Sequence, residues 1–534
     1  MQIRRSIPSV KTLLGIMAPV LLAESAILIL SALLRLWALD IKPPHFDEGI
    51  NGWFVDQMRS AGFYRYDPEN YHGPFYFYIL FVFLSLLGRN LWALRLPAVL
   101  ASIASVWMAL RFDRFLGRGA AVIGALALAV SPAAIFYGRY AIHESWMVLS
   151  LMITAWGILA LWREGTKRGL IAASLGFTLM LLLKETAMIH IGCFLIAGGV
   201  LAAWQIPFPS RPAVSMASPR WRPVDLFWCA ALSLLAILFF YSGTFLNVSG
   251  VPDFFRAYAK WFQTGMGEGG HLKSEYQLGP LNCYWLSLMG RYEWPSLLGL
   301  LYAVRLAWPA PAMTRYLAIY GIGALSAYSL VPYKTPWCII SMLWPFALLF
   351  GAALEEGWER TVTKPLRRTI LITLAIVLLG GSFASAVRLN FRHYTDPKEP
   401  YVYVQTMPEI AVVTDPLLAM ARRSPLNLTM PGQILLESYY PLPWILGEFS
   451  SIGYYAKDDR VPLLLDGDFI VALSSQQEMV EGRIRDTYLR RRFHLRDSME
   501  ECTVWFREAR FKDWFKEPGH GVTDRVVPAG MKKP

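Results

Sequence analysis

The chain has 534 residues, 55% of them hydrophobic and only 17% charged, with a formal net charge of +12. Soluble domains carry about 25% charged residues, so an ordinary soluble protein is excluded. Much of the Lys and Arg falls in short loops between apolar runs, where it sets orientation in a membrane. No nucleic-acid motif accompanies it, so the positive charge does not point to nucleic acid.

Apolar runs, most of them long enough to cross roughly 30 Å of hydrocarbon as a helix, predict spans near 14–38, 92–111, 119–137, 143–162, 169–183, 186–204, 225–246, 294–308, 316–332, 336–354 and 369–387. These eleven put the two chain ends on opposite sides. The first run follows Arg4, Arg5 and Lys11 without a small-residue cleavage site, so it reads as an uncleaved span. The segment 75–88, FYFYILFVFLSLLG, is apolar but short and rich in Phe and Tyr, and is predicted to be a juxtamembrane helix. Leaving it out of the count places Arg111, Arg114 and Arg118, then Arg163, Lys167 and Arg168, and every later basic cluster on the side of the amino terminus, which is therefore cytoplasmic. The outer connections are then Asp40–Leu91, Gly138–Ile142, Lys184–Glu185, Asn247–Glu293 and Pro332–Thr335. The Pro- and Ser-rich stretch Pro207–Pro223 reads as a cytoplasmic connector. The five cysteines show neither a CxxC pair nor metal-ligand spacing.

From about Asn390 the pattern changes. A helical stretch at Val412–Arg423 precedes strand-like runs at Gln433–Glu437, Phe469–Leu473 and Cys502–Phe506, which predicts a small α/β domain. The expected organisation is a polytopic α-helical membrane domain over 1–389, with a large first outer loop 40–91, followed by a soluble extracytoplasmic α/β domain over 390–534.

The unusual polar groups gather on the predicted outer side: Asp47 and Glu48 in the first loop, Arg139, His143 and Glu144 in the second, Lys184 and Glu185 in the third, and Lys334 in the last. Tyr71 and His72 precede the juxtamembrane helix. Ionisable groups at membrane depth are costly and mark function, although Lys184 could snorkel, Arg139 could pair with Glu144, and either histidine could be a satisfied interfacial ring. Carboxylates can take a proton from an attacking hydroxyl, while Arg and Lys hold phosphate. An enzyme using a lipid-phosphate donor needs both.

The ordered set formed by the Asp47-Glu48 pair, HGPFYFYIL, LWALRLPAVL and SPAAIFYGRYAIHESW resembles the membrane glycosyltransferases of the C superfamily, which include protein O-mannosyltransferases and lipid A aminoarabinose transferases. YKTPW and SYYPLPWILGEF are similar to a prokaryotic subgroup labelled flippase-activity-associated proteins. The resemblance implies that Asp47 is the catalytic carboxylate of the first loop with Glu48 beside it, and that Glu144 is the second-loop acid. It implies a donor-phosphate contact from His72; by their place among the outer polar groups Arg139, Lys184 and Lys334 are expected to hold the same phosphate, and Tyr71, His143 and Glu185 to line the substrate. The single Pro after His72-Gly73 and the His143-Glu144 pair depart from the family pattern, and no WWDYG-like motif of oligosaccharyltransferases is present. The expected activity is inverting transfer of a sugar from a polyprenyl-phosphate carrier to a glycan, protein or lipid acceptor at the outer face of a prokaryotic inner membrane. No metal is assigned, and a divalent cation beside Asp47 stays open. The competing expectation is a lipid-linked glycan flippase, or an accessory to one, without chemistry of its own; charges clustered at one face rather than at the midplane count against it.

Overall fold

The computed structural model describes residues 10–204, 217–266, 283–305, 311–456, 461–517, 521 and 523–528. The connector residues 207–216 lie outside them. The chain forms two compact units: Met1–Leu39 with Gly62–His393, and Asp40–Ala61 with Tyr394–Pro534. Residues 40–61, read from sequence as part of the membrane domain, thus group with the tail.

Each predicted span falls on a helix of the first unit. Among the described residues, five helices, or six if one bent pair counts as a single span, are long and apolar enough to cross a membrane. The helices Pro223–Tyr241 and Pro365–Phe391 keep rows of exposed Leu, Ile and Phe, as lipid-facing surfaces do. The helix Ile339–Arg360 is buried along most of its length and forms the centre of the unit. The short apolar segment is the helix Phe75–Leu87. Two helices in the predicted outer connection 247–293, Gly250–Met266 and Tyr284–Tyr292, escaped the sequence reading.

The predicted span 119–137 is broken into Arg118–Val130 and Pro132–Gly138, bent by 57°. Pro132 has no amide hydrogen and its ring crowds the carbonyl four residues back. That carbonyl, of Leu128, accepts from Arg35 Nη2 at 3.1 Å, and Ala129 O from Nη1 at 3.0 Å. The new helix start is held by Glu293, which accepts from the Ala133 amide and the Ser131 hydroxyl, each at 2.7 Å. A cation thus meets the carbonyl end of one half-helix and a carboxylate the amide end of the other, as the helix dipoles favour.

The second unit is a six-stranded mixed sheet in the order β2-β1-β3-β5-β4-β6, comprising β1 Gly432–Leu435, β2 Ile452–Tyr454, β3 Phe469–Leu473, β4 Tyr488–Phe493, β5 Cys502–Arg507 and β6 Asp524–Val526. β1 runs parallel to β2 and β3, whereas β5 is antiparallel to β3 and β4. Alternation along the strands sends Ile434, Val471 and Val504 to one face, where the helices Ala411–Arg423 and Glu508–Lys516 add Val413, Leu417 and Phe511. Leu435, Ile470, Ala472 and Trp505 face the other way, against Val480 and Ile484. β2, β4 and β6 were not read from sequence. The Asp47-Glu48 segment, read as a loop, is the amphipathic helix Phe46–Ala61.

Candidate functional site

In the helical unit the third predicted loop is a tight turn, Lys184 to Thr186, between helices Lys167–Leu183 and Ala187–Trp204. Lys184 Nζ donates to Glu144 Oε1 at the first residue of the helix Glu144–Glu164, and both side chains are nearly fully buried, 6% and 5% exposed. Burial opposes the charge on Lys184, but the Glu144 carboxylate outweighs it and holds the ammonium protonated well above the ordinary lysine range. Lys184 is therefore paired in the interior and does not snorkel.

Next to it, the buried Glu185 carboxylate lies 2.9 Å from His72 Nδ1. Burial works against ionisation of Glu185, yet the His72 ring, through charge and hydrogen bond, and Lys184 keep its carboxyl below the usual range. His72 reaches this position because Gly73 lets the backbone close on the end of the Lys167–Leu183 helix: its amide donates to Leu183 O at 3.1 Å, and a Cβ there would lie 2.1 Å from Leu182 O. The His72 ring, 29% exposed, lies 4.9 Å from the buried His143 ring at a tilt of 46°, and His143 also touches Tyr76 and Phe77. Tyr71 edges against His72 at 5.1 Å. His143 Nε2 finds no hydrogen-bond partner among the described residues. The structure thus joins His72, Tyr71, His143, Glu144, Lys184 and Glu185.

Two expected phosphate ligands have other tasks. Arg139 is fully buried, and its Nη atoms donate to the carbonyls of Leu34, Arg35, Trp37 and Ala38, with the guanidinium 4.9 Å over the Phe391 ring. It closes the carbonyl end of the helix Val10–Leu36 rather than pairing with Glu144. Lys334 Nζ donates to Tyr328 O, Ser329 O and Val331 O at 3.0, 3.0 and 2.6 Å. That accounts for all three of its donors and closes the helix Ala312–Leu330. Both cations complete helix ends, where carbonyls left by the last turn need donors.

In the second unit, Asp47 is the second residue of the helix Phe46–Ala61, with a side chain 32% exposed. The adjacent His45, which the sequence reading passed over, organises this helix start. Its Nε2 lies 2.8 Å from Tyr403 O. A carbonyl can only accept, so Nε2 carries the proton. Nδ1 then accepts from the Asp47 amide at 3.1 Å. Glu48 is fully buried and turns back to accept from the His45 amide at 2.8 Å. This is the reach of a capping box. Glu48 thus caps the helix start, whereas the Asp47 carboxylate is partly exposed. The His45-x-x-Glu48 spacing was the signal that could have disclosed the helix start. Among the described residues, no three His, Cys, Asp or Glu side chains are arranged to hold a metal ion.

The chain shares its fold with solved membrane transferases. Residues 71–207 match the family described as dolichyl-phosphate-mannose-protein mannosyltransferase. The chain is 27% identical over 326 residues to the undecaprenyl phosphate-alpha-4-amino-4-deoxy-L-arabinose arabinosyl transferase of Pseudomonas aeruginosa strain LESB58, and 27% identical over 329 residues to that of strain PAO1. Each match covers 59% of this chain and 55% of the relative, so it spans about half the length of those curated relatives. Among solved structures, ArnT from Cupriavidus metallidurans bound to undecaprenyl phosphate superposes with a TM-score of 0.62 at 15% identity, covering 92% of this chain and 98% of that one. The Archaeoglobus fulgidus oligosaccharyltransferase gives 0.52 at 10% identity, covering 88% and 72%.

Proposed function

We propose that this protein is an inverting glycosyltransferase that moves a sugar from a polyprenyl-phosphate carrier, undecaprenyl phosphate in class, to an acceptor hydroxyl at the outer face of the inner membrane. The reading includes eleven spans, a cytoplasmic amino terminus and an extracytoplasmic tail, for which the one-sided Lys and Arg is the support. The observation that carries the chemistry is the pair of contacts made by the consecutive residues Lys184 and Glu185, Lys184 with the Glu144 carboxylate and Glu185 with the His72 ring.

In this reading Asp47 is the general base. The acceptor oxygen attacks the anomeric carbon while its proton passes to the Asp47 carboxylate, and the carbon–oxygen bond to phosphate breaks with its electron pair leaving on the phosphate. Lys184 supplies a fixed positive charge for that developing anion, and His72, held through Nδ1 by Glu185, is the second group assigned to it. Glu144 and Glu185 orient these two groups rather than taking the acceptor proton. Arg139 and Lys334 contribute by fixing helix ends. The aminoarabinose donor named for the relatives is the first probe to use.

The test is transfer by purified full-length protein in nanodiscs, with radiolabelled undecaprenyl-phosphate aminoarabinose and acceptors extracted from the source membrane. Asp47→Asn is expected to lower the rate by roughly a hundred- to ten-thousand-fold, the usual worth of a general base, with undecaprenyl-phosphate binding unchanged. Equal transfer by wild type and Asp47→Asn removes Asp47 from this role, and lipid translocation in place of transfer favours a flippase.

A further inference from the structure

The sheet domain has no task in the reaction just described, yet the helix carrying Asp47 belongs to its compact unit, although the two segments lie at opposite ends of the chain. The chain leaves the helical unit after Leu39 and re-enters it at Gly62. Between those points, one face of the helix Phe46–Ala61 is shaped to meet the segment Ser438–Trp444. Gly49 and Gly52, one helical turn apart, lie on that face. A Cβ on Gly49 would stand 2.5 Å from Pro441 Cα, and one on Gly52 2.3 Å from Trp444 Cδ1. Pro441 and Trp444 are themselves buried, so neither has room to withdraw. Around this seam Tyr440 meets Phe46 at 5.8 Å and Trp53 at 6.3 Å, both edge to face.

The amino-terminal turn of the helix is held separately. Arg496, only 2% exposed, donates to Tyr440 O and Ser438 O at 2.6 Å each and carries its guanidinium 4.9 Å over the Phe46 ring, so one side chain ties the Ser438–Trp444 segment to the residue before Asp47. Tyr403 O fixes the His45 ring, and Gln405 Nε2 donates to Pro43 O at 3.1 Å. Pro43, His45 and Phe46, just before Asp47, are thus each held by a tail residue.

We propose that the carboxyl-terminal sheet domain is a positioning device for Asp47, acting through Pro441, Trp444 and Arg496 on the helix that carries it. This inference rests on the reading of Asp47 as base. Pro441, Trp444 and Arg496 are positioning residues: they touch the carrier helix and leave the reacting atoms to others. Because a 1 Å misplacement of a reacting group costs about a hundred-fold in rate, a small shift of this helix is felt as lost turnover and not as lost donor affinity.

The experiment uses full-length protein in nanodiscs with Gly52→Ala, which favours helix but collides with Trp444, and Arg496→Gln. Both are expected to lower kcat about a hundred-fold while donor KM stays within about threefold and undecaprenyl-phosphate binding is retained. Amide hydrogen exchange across residues 46–61 should rise in both. In an Asp47→Asn background neither should cause a further loss, because the group being positioned is already gone. Wild-type kcat in both variants despite raised exchange overturns the proposal, as does unchanged exchange in both. Full activity of Asp47→Asn overturns the base assignment alone, since exchange still reports whether the tail holds the helix.

Discussion

Removing one member of the Lys184–Glu144 pair is the sharpest probe of the helical unit. Lys184→Met keeps the length and apolar stem of the side chain and removes the charge, leaving the Glu144 carboxylate, 5% exposed, without its cation. Breaking a buried pair in this way costs about 3–5 kcal/mol, whereas replacing both members by neutral groups of similar volume is often close to neutral. Lys184→Met and Glu144→Gln should therefore each destabilise strongly, and the double variant should lose much less than the sum, a coupling at or above the top of the roughly 0.5–3 kcal/mol range for residues in contact. Unfolding free energies from denaturant titration in mixed micelles measure this, and undecaprenyl-phosphate binding is read on the same samples. The double variant should fold yet bind the lipid phosphate weakly, which separates the structural share of Lys184 from its charge. A loss under about 1 kcal/mol for Lys184→Met, the range of an exposed pair, would refute the buried-pair argument.

Two further outcomes follow from the same geometry. Arg139→Gln and Lys334→Met should lower the unfolding midpoint while leaving donor KM within about twofold, since their donors serve helix-end carbonyls; a large rise in KM with unchanged stability would return them to the phosphate. Glu185 has a folded pKa below its ordinary 4.5, so its pairing stabilises fully above that value and is lost as pH falls through the lowered one. Unfolding midpoints measured from neutral pH downward should show the wild-type advantage over Glu185→Gln shrinking below pH 4.5, and a constant difference would contradict the assignment.

Helices were legible wherever a long apolar run carried them, because a helix satisfies every backbone group of a lone hydrophobic segment within that segment, as lipid requires. The break at Pro132 was not read, although Ser131-Pro132 announces it, because the run stays apolar on both sides. Clustering of polar groups was legible from their recurrence at helix ends. Their partners were not: whether Arg139 meets Glu144 or the carbonyls of Leu34 to Ala38 depends on tertiary packing that spacing does not encode. The helix Phe46–Ala61 was hidden for a related reason. Its glycines and charges read as loop in isolation, and they make sense only against Pro441 and Trp444, far down the chain.

That separation has a consequence for synthesis. Gly52 leaves the ribosome long before Trp444 exists, and at roughly 5–20 residues per second the interval is on the order of 20–80 s. Throughout it the Phe46–Ala61 segment, with Phe46 and Trp53, lacks the tail residue Tyr440 that these rings later meet. Contacts of such long range close late and slowly. The seating of Asp47 therefore waits for the tail: a chain cut short before Pro441 carries the whole helical unit with its Lys184–Glu144 and His72–Glu185 contacts, yet lacks the residues against which Gly49 and Gly52 pack.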